Sequence, residues 1–357
     1  MAAVPEAEQR YPVEFTAAAG EYFRIWIVNL ALTLLSLGIY SAWAKVRKKR
    51  YFYAHLRIGG EGFEYRGDPV AILRGRAIAV VIFVLYGAAG HLSVPLQIAL
   101  GLVFAIAFPW LLVRSLAFSA RNTAYRNIRF HFDGKYLDAL RLFALCAALV
   151  VITLGLAYPY AQARLTKFSA DHHRYGTAPF ALPRLTGTFY GIYLRFVGLI
   201  VLFVVLFLLA GILFSIVAAL AGVNARAAGV FSGVLLMSFG TIAFYLVGFA
   251  YLRTRIANAV WNHLAIGATA AGSPQVRFES RLRVRDFAGL YLVNILAIVF
   301  TLGLATPWAM VRTMRYRAQK TTVVAAGGLD QFVAARAADV DASGEEMGEM
   351  FGFDFGF

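Results

Sequence analysis

The sequence predicts a polytopic α-helical integral membrane protein, and three observations carry that reading. The chain is far more apolar than a soluble domain, with 60% apolar residues, a mean hydropathy of +0.67 and only 15% charged residues in 357. About seven runs free of Asp, Glu, Lys and Arg approach or exceed the roughly 20 residues that a helix needs to cross a bilayer. They fall at 25–44, 77–94, 95–113, 142–161, 196–220, 227–252 and 287–311. One phrase, in which an apolar run closes on Leu-Gly and passes through an aromatic into a burst of cations, is written three times.

The chain opens on "MAAVPEAEQRYPVEF", which has neither a basic start nor a small-residue cleavage site, so it does not read as a signal peptide. Between the apolar runs, "VEFTAAAGEYFRIW", "GFEYRGDPVAILRG", "IRFHFDGKYLDALRL", "APFALPRLTGTFYGIYL" and "VRFESRLRVRDFAGLYL" each place a short alternating aromatic-polar stretch before a helical pattern. Period-two alternation predicts strand, and Gly, Pro or Asp at the changeover predicts a turn or cap. Asp68-Pro69 matches an N-cap followed by proline in the first helical turn. Gly59-Gly60 predicts a hairpin turn. Strand edges cannot face lipid, so these pieces belong outside the bilayer, paired with one another. The expected layout is a membrane domain over 1–325. It holds repeat units near 15–68, 130–180 and 278–320, interleaved with helical hairpins at 77–113 and 196–252. An acidic tail that composition predicts to be disordered follows over 326–357.

The repeated phrase runs Ser36 to Tyr51, Thr153 to Phe168 and Thr301 to Tyr316 without a gap. Its fixed points are Gly38, Gly155 and Gly303; Trp43, Tyr160 and Trp308; Arg47, Arg164 and Arg312; and the second cations Arg50, Lys167 and Arg315. Their long, unequal intervals exclude a solenoid and point to large duplicated units. The aromatic suits headgroup depth, and the two cations, stacked on one helical face, can reach lipid phosphates. The phrase therefore reads as an interface anchor or as a site for anionic lipid headgroups. Together with the strand pieces and the ending "GEEMGEMFGFDFGF", it resembles the YjgN-like family of bacterial inner-membrane proteins over nearly the whole chain. That resemblance implies a location in the inner membrane and no chemistry. The copies differ: Tyr160 stands where the others have Trp, and Ala42 stands where Pro159 and Pro307 occur.

Short loops rich in Lys and Arg stay in the cytoplasm. The segments 45–76, 114–141, 162–195 and 253–285 are all basic, which seven ordinary crossings cannot place on one side. Two threadings remain, with four to seven true crossings. Either every run spans, or the three motif runs enter and leave by the cytoplasmic face and only the two interleaved hairpins cross. Asn29 and Asn294 lie at matching places inside motif runs, with Cys146 as their counterpart, and can bond between helices or bind a solute.

The six His lack metal-ligand spacing, and "GGEG" lacks the Lys of a phosphate loop, so no enzyme, cofactor or metal site is expected. A net charge of +15 placed beside apolar runs points to anionic lipid rather than nucleic acid. Two function classes follow: a structural or interaction protein of the inner membrane that binds anionic headgroups, or a channel or transporter for a small solute. The tail ends with Phe351, Phe353, Phe355 and Phe357 on one face of an extended strand. It could therefore add to an exposed strand edge of this chain or of a protein partner.

Overall fold

The computed structural model describes residues 8–222, 225–268, 274–334 and 336. Ten strands close an antiparallel barrel in which β1 (Glu8–Phe15) pairs with β2 (Leu56–Ile58) on one side and with β10 (Thr321–Ala326) on the other. Between them, in chain order, stand β3 (Glu61–Tyr65), β4 (Thr123–Tyr125), β5 (Ile128–Phe132), β6 (His173–Tyr175), β7 (Ala178–Ala181), β8 (Ala265–Ala268) and β9 (Pro274–Ser280). The short alternating pieces thus form one closed sheet, in which each edge is satisfied by its neighbour.

Every odd strand leads into a pair of helices and every even one directly into the next strand or, after β10, a terminal helical turn. Antiparallel order puts the strand ends that lead into helices at one rim of the barrel and the other ends at the opposite rim. The pairs are α1 (Ala19–Leu35) with α2 (Ser41–His55), α3 (Pro69–Leu92) with α4 (Val94–Arg121), α5 (Tyr136–Ile152) with α6 (Tyr158–Asp171), α7 (Thr186–Leu220) with α8 (Ala225–Trp261), and α9 (Val284–Phe300) with α10 (Thr306–Gln319). The barrel, α1 to α6 and α10 form one compact unit; α7 to α9 form a second. Within the first, the ends of each pair meet: Thr16 N–H donates to the His55 carbonyl, Arg66 N–H to that of Asn122 and Asp133 N–H to that of His172, at 2.8 to 3.0 Å.

The turns bear out the local sequence signals. Gly59 and Gly60 sit at φ +57° and +82° in a two-residue hairpin loop, and Arg126-Asn127 make the matching β4–β5 turn at φ +48° and +65°. Positive φ at both loop positions is what such a hairpin needs. Asp68 caps α3 by accepting from the Val70 and Ala71 N–H groups, with Pro69 opening the helix.

The lumen is filled with side chains. Phe63 packs on Tyr125 at 4.9 Å between ring centres, Phe130 on Tyr175 at 5.1 Å, and Tyr175 stacks on Phe332 at 5.8 Å. Tyr125 donates to the Ile58 carbonyl at 2.6 Å and Tyr175 to the Tyr125 carbonyl at 3.0 Å, so each phenol reaches back to the residue that ends the first strand of the preceding hairpin. Burial raises both phenols above the usual tyrosine range.

The motif runs 25–44, 142–161 and 287–311 are each cut at the Leu-Gly into two helices, the break that folding back requires. One expectation needs correcting. The tail does not begin at 326. Residues 329–334 form a helical turn that buries Leu329, Phe332 and Val333 against the barrel, with Asp330 paired to Arg126 and Arg336 bonded to Thr177 and Gln275. Those apolar side chains bury enough surface to hold a segment whose acidity suggested disorder. Among the described residues no edge strand of the barrel is left unpaired, and the Phe-rich end, expected to join a strand edge of this chain or of a partner, lies outside the described residues.

Candidate functional site

The Ser/Thr-Leu-Gly of the motif builds the same corner three times. Gly38 N–H donates to the Thr33 carbonyl at 2.7 Å and Leu37 N–H to that of Leu34 at 3.1 Å; Gly155 and Leu154, then Gly303 and Leu302, repeat both bonds. This is the Schellman ending of a helix, with one difference: the left-handed position, where glycine is usual, holds Leu37, Leu154 and Leu302 at φ +49° to +50°. Glycine follows at φ +92° to +93°. Thr153 Oγ1 donates to the Leu149 carbonyl at 2.6 Å and accepts from Ala157 N–H at 2.9 Å, so one hydroxyl joins the end of α5 to the start of α6. Thr301 makes the same two bonds, and Ser36 accepts from Tyr40 N–H at 2.9 Å. A left-handed leucine costs about 1 kcal/mol. Yet these leucines are 95%, 93% and 94% exposed.

Below each corner the motif packs its return helix. Ala42, Pro159 and Pro307 are buried, and proline suits the first turn of a helix because its missing N–H would have no partner there. Arg312 lies over the Trp308 ring at 5.0 Å and Arg164 over Tyr160 at 5.9 Å. In the first copy Trp43 stacks on Tyr40 and Arg47 is exposed. The second cations do not all reach outward as the sequence suggested. Lys167 donates to the Leu182 carbonyl and pairs with Asp171 at 2.7 Å, and Arg315 donates to the Ala17 carbonyl at 2.8 Å. Both bind a point just beyond a strand of the next excursion. Arg50 lies near Tyr65, at the corresponding junction, where burial raises the phenol and the Arg50 charge partly opposes that rise.

Two further copies of the aromatic-Arg pair escaped sequence reading. Pro109-Trp110 and Arg114 in α4 repeat the spacing of Pro307-Trp308 and Arg312, with Arg114 over Trp110 at 5.6 Å. In α8, Arg253 lies over Phe249 at 5.5 Å. The identical Pro-Trp-x-x-x-Arg could have disclosed the first; Ala105 in place of the corner glycine concealed it. In each of the five return helices the aromatic stands three turns before the helix ends, about 17 Å along its axis.

Depth relative to this aromatic level separates the pairs. Beyond Trp110, α4 runs back to Val94, roughly 24 Å. The corner leucines stand under about 10 Å from their aromatics. Arg76 of α3 donates to Ser41 Oγ, so the first corner lies beside Arg76, and α3 continues from Ala77 to Leu92 without a formal charge. Asn29 and Asn294 are both buried, as is Cys146. Among the described residues no group of three His, Cys, Asp or Glu could hold a metal ion.

Among the described residues, α3, α4 and α7 are long and apolar enough to cross a membrane. With these long apolar helices, the molecule is a helical membrane protein. The chain belongs to the family described as bacterial protein of unknown function (DUF898), whose model matches residues 10–350. It is 29% identical over 147 residues to inner membrane protein YjgN of Salmonella typhimurium, a match covering 39% of this chain and 37% of that one. It is 31% identical over 125 residues to inner membrane protein YjgN of Escherichia coli O157:H7, covering 33% and 30%. The matches thus span well under half of either relative. The YjgN-like resemblance carried by the motif holds. No solved structure matches.

Proposed function

We propose that this protein is a structural or interaction protein of the bacterial inner membrane, with the barrel and the basic helix ends at the cytoplasmic face. In this reading α3–α4 and α7–α8 cross as two hairpins, and the three motif pairs dip in and return. The aromatic-Arg pairs mark the headgroup level and bind anionic lipid. Trp43, Arg47, Tyr160, Arg164, Trp308 and Arg312 are joined by Trp110, Arg114, Phe249 and Arg253. The inner-membrane location is supported by the relatives' names.

The observation that carries the reading is the aromatic-Arg pair at one distance from the helix end in all five return helices. Aromatic rings settle where one side is apolar and the other wet, and arginine beside them meets lipid phosphate. All basic loops then share one face, which seven ordinary crossings would forbid. Arg50, Lys167 and Arg315 contribute positive charge near this face while they brace the barrel.

Thiol accessibility in whole cells tests the threading. Glu61→Cys, at the exposed start of β3 beside the Gly59-Gly60 turn, should react with an impermeant reagent only after the inner membrane is opened, and Leu154→Cys should stay shielded throughout. Labelling of Glu61→Cys from the periplasm in intact cells would sink the reading. Lipid choice is tested by native mass spectrometry of the purified protein offered phosphatidylglycerol and phosphatidylcholine. Preference for phosphatidylglycerol should fall when Arg47, Arg114, Arg164 and Arg312 become Gln. A solute path along the barrel axis would have to displace Phe63, Phe130, Tyr175 and Phe332, and flux in proteoliposomes measures that alternative directly.

A further inference from the structure

The three corners expose apolar side chains in groups. Leu34, Leu35, Leu37 and Ile39 surround the first, Val151, Ile152, Leu154 and Leu156 the second, and Val299, Phe300, Leu302 and Leu304 the third, all of them exposed. A corner meant for water would place Gly or Asn at the left-handed position, since these adopt it at little cost. Leucine there three times, at the point of greatest exposure, answers to an apolar surrounding.

We infer that the short pairs act as a wedge in one leaflet, with its acyl chains as the occupant, so that the protein favours membranes whose barrel-side leaflet is convex. This rests on the interface reading above and goes beyond it. In the barrel-bearing unit α1 to α6 all rise from the same rim, and α3 and α4 alone continue far beyond the corners of α1–α2 and α5–α6. The barrel-side leaflet therefore holds six of these helices and the opposite leaflet two. A helix some 10–12 Å across occupies about 80–110 Å², so four additional helices displace roughly 300–450 Å² of lipid from one leaflet. Bending that expands this leaflet relieves the crowding. Cations at the base and leucines at the tip fit a monolayer seen from its headgroup side; a partner protein's transmembrane helix would leave the repeated basic base unexplained.

The test uses the full chain carrying Glu61→Cys, reconstituted in a phosphatidylethanolamine and phosphatidylglycerol mixture as small sonicated and as large extruded vesicles. An impermeant maleimide, added before and after detergent, reads the fraction with the barrel outside. The expected outward-to-inward ratio is severalfold higher in the small vesicles, and equal ratios overturn the wedge. Bulk of the barrel alone could bias orientation, so the same ratio is read with Leu37→Asp, Leu154→Asp and Leu302→Asp combined. The bias should fall to the large-vesicle value; a bias that persists overturns the proposal. If that variant does not fold, the density of the unaltered protein on nanotubes pulled from giant vesicles decides. Enrichment on tubes with the barrel outside supports the wedge, and equal density on tube and flat membrane overturns it. A water-reactive Leu154→Cys would instead sink the interface reading, so the two failures are distinguishable.

Discussion

The α3–α4 hairpin and the α5–α6 pair stand side by side on the same barrel, and their lower halves are nearly one design. Each return helix carries a buried proline, Pro109 or Pro159, then an aromatic with an arginine one turn on, and each ends close to the next strand. Only the upper halves differ. At the place of Gly155, α4 has Ala105, and the helix runs on through its proline toward Val94. Depth is set by a few residues above a shared base: a glycine that ends the helix, or an alanine that lets it continue. The base is shared, and the corner fixes how far each arm goes beyond it.

The comparison can be broken most severely by charge. Leu102→Asp, on the exposed side of α4 near mid-span, should cost roughly 2.5–3.5 kcal/mol of insertion free energy, whereas Leu154→Asp, close to the headgroups, should cost well under half as much. The membrane-integrated fraction in a translocon insertion assay measures both, and equal costs would put the two sites at equal depth. Next in size is the corner itself. Gly155→Val forces a β-branched residue to φ +92° and should destabilise by about 1–3 kcal/mol, seen as a fall in Tm in detergent. Gly101→Val inside α4 should be nearly neutral, because its new Cβ meets nothing closer than the Tyr86 ring at 3.6 Å. Thr153→Ala removes both hydroxyl bonds at the corner and should cost about 0.5–2 kcal/mol. Ser93→Ala, which gives up one 3.3 Å bond to Leu96 N–H at the α3–α4 turn, should cost less.

Alkaline pH should spare the comparison and strike the common root. Tyr125 and Tyr175 hold their protons above the ordinary value of 10.0, because burial disfavours the phenolate. The unfolded chain releases those protons first, so it binds fewer than the folded state once pH passes 10.0, and stability falls as pH rises further. The contribution is complete below pH 10.0. Tyr175→Phe should blunt the alkaline loss in pH-dependent Tm measurements while costing about 1 kcal/mol at neutral pH. The smallest effect has the opposite sign. Leu154→Gly relieves the left-handed leucine and should raise Tm slightly, by at most about 1 kcal/mol of stability, at the expense of an apolar tip.

Much of this arrangement was legible in the sequence because its causes are local. Charge-free length disclosed the long hairpins, Asp68-Pro69 a helix start, Gly59-Gly60 a tight turn, and the triple Leu-Gly a break common to three runs. The two threadings could not be separated by hydropathy, since a run of twenty apolar residues looks the same whether it continues or folds back at Gly38. The barrel was hidden for a different reason. Its strands are as short as three residues, and their partners are fixed by closure of the whole ring, which no window of sequence contains. The helical turn at 329–334 was masked by the acids around it, although Leu329, Phe332 and Val333 already showed a helical spacing. At the candidate site, demanding the glycine in every copy concealed Trp110 and Arg114.

Closure by β1 and β10 also sets a timetable. Glu8 finds its partner in Ala326, so the first strand cannot be sealed until nearly every helix has been synthesised. At roughly 5–20 residues per second the ribosome needs about 15–60 s to cover that distance. Throughout it the helical pairs are being made, while a row of amides on β1 waits unpaired for β10. Biogenesis then ends in one late event, the docking of residues 321–326, which completes the ring and brings Leu329 and Phe332 down on its mouth. Loss of that final strand strips a partner from both β1 and β9 at once, and such a molecule is the one a quality-control protease would meet with an open sheet edge.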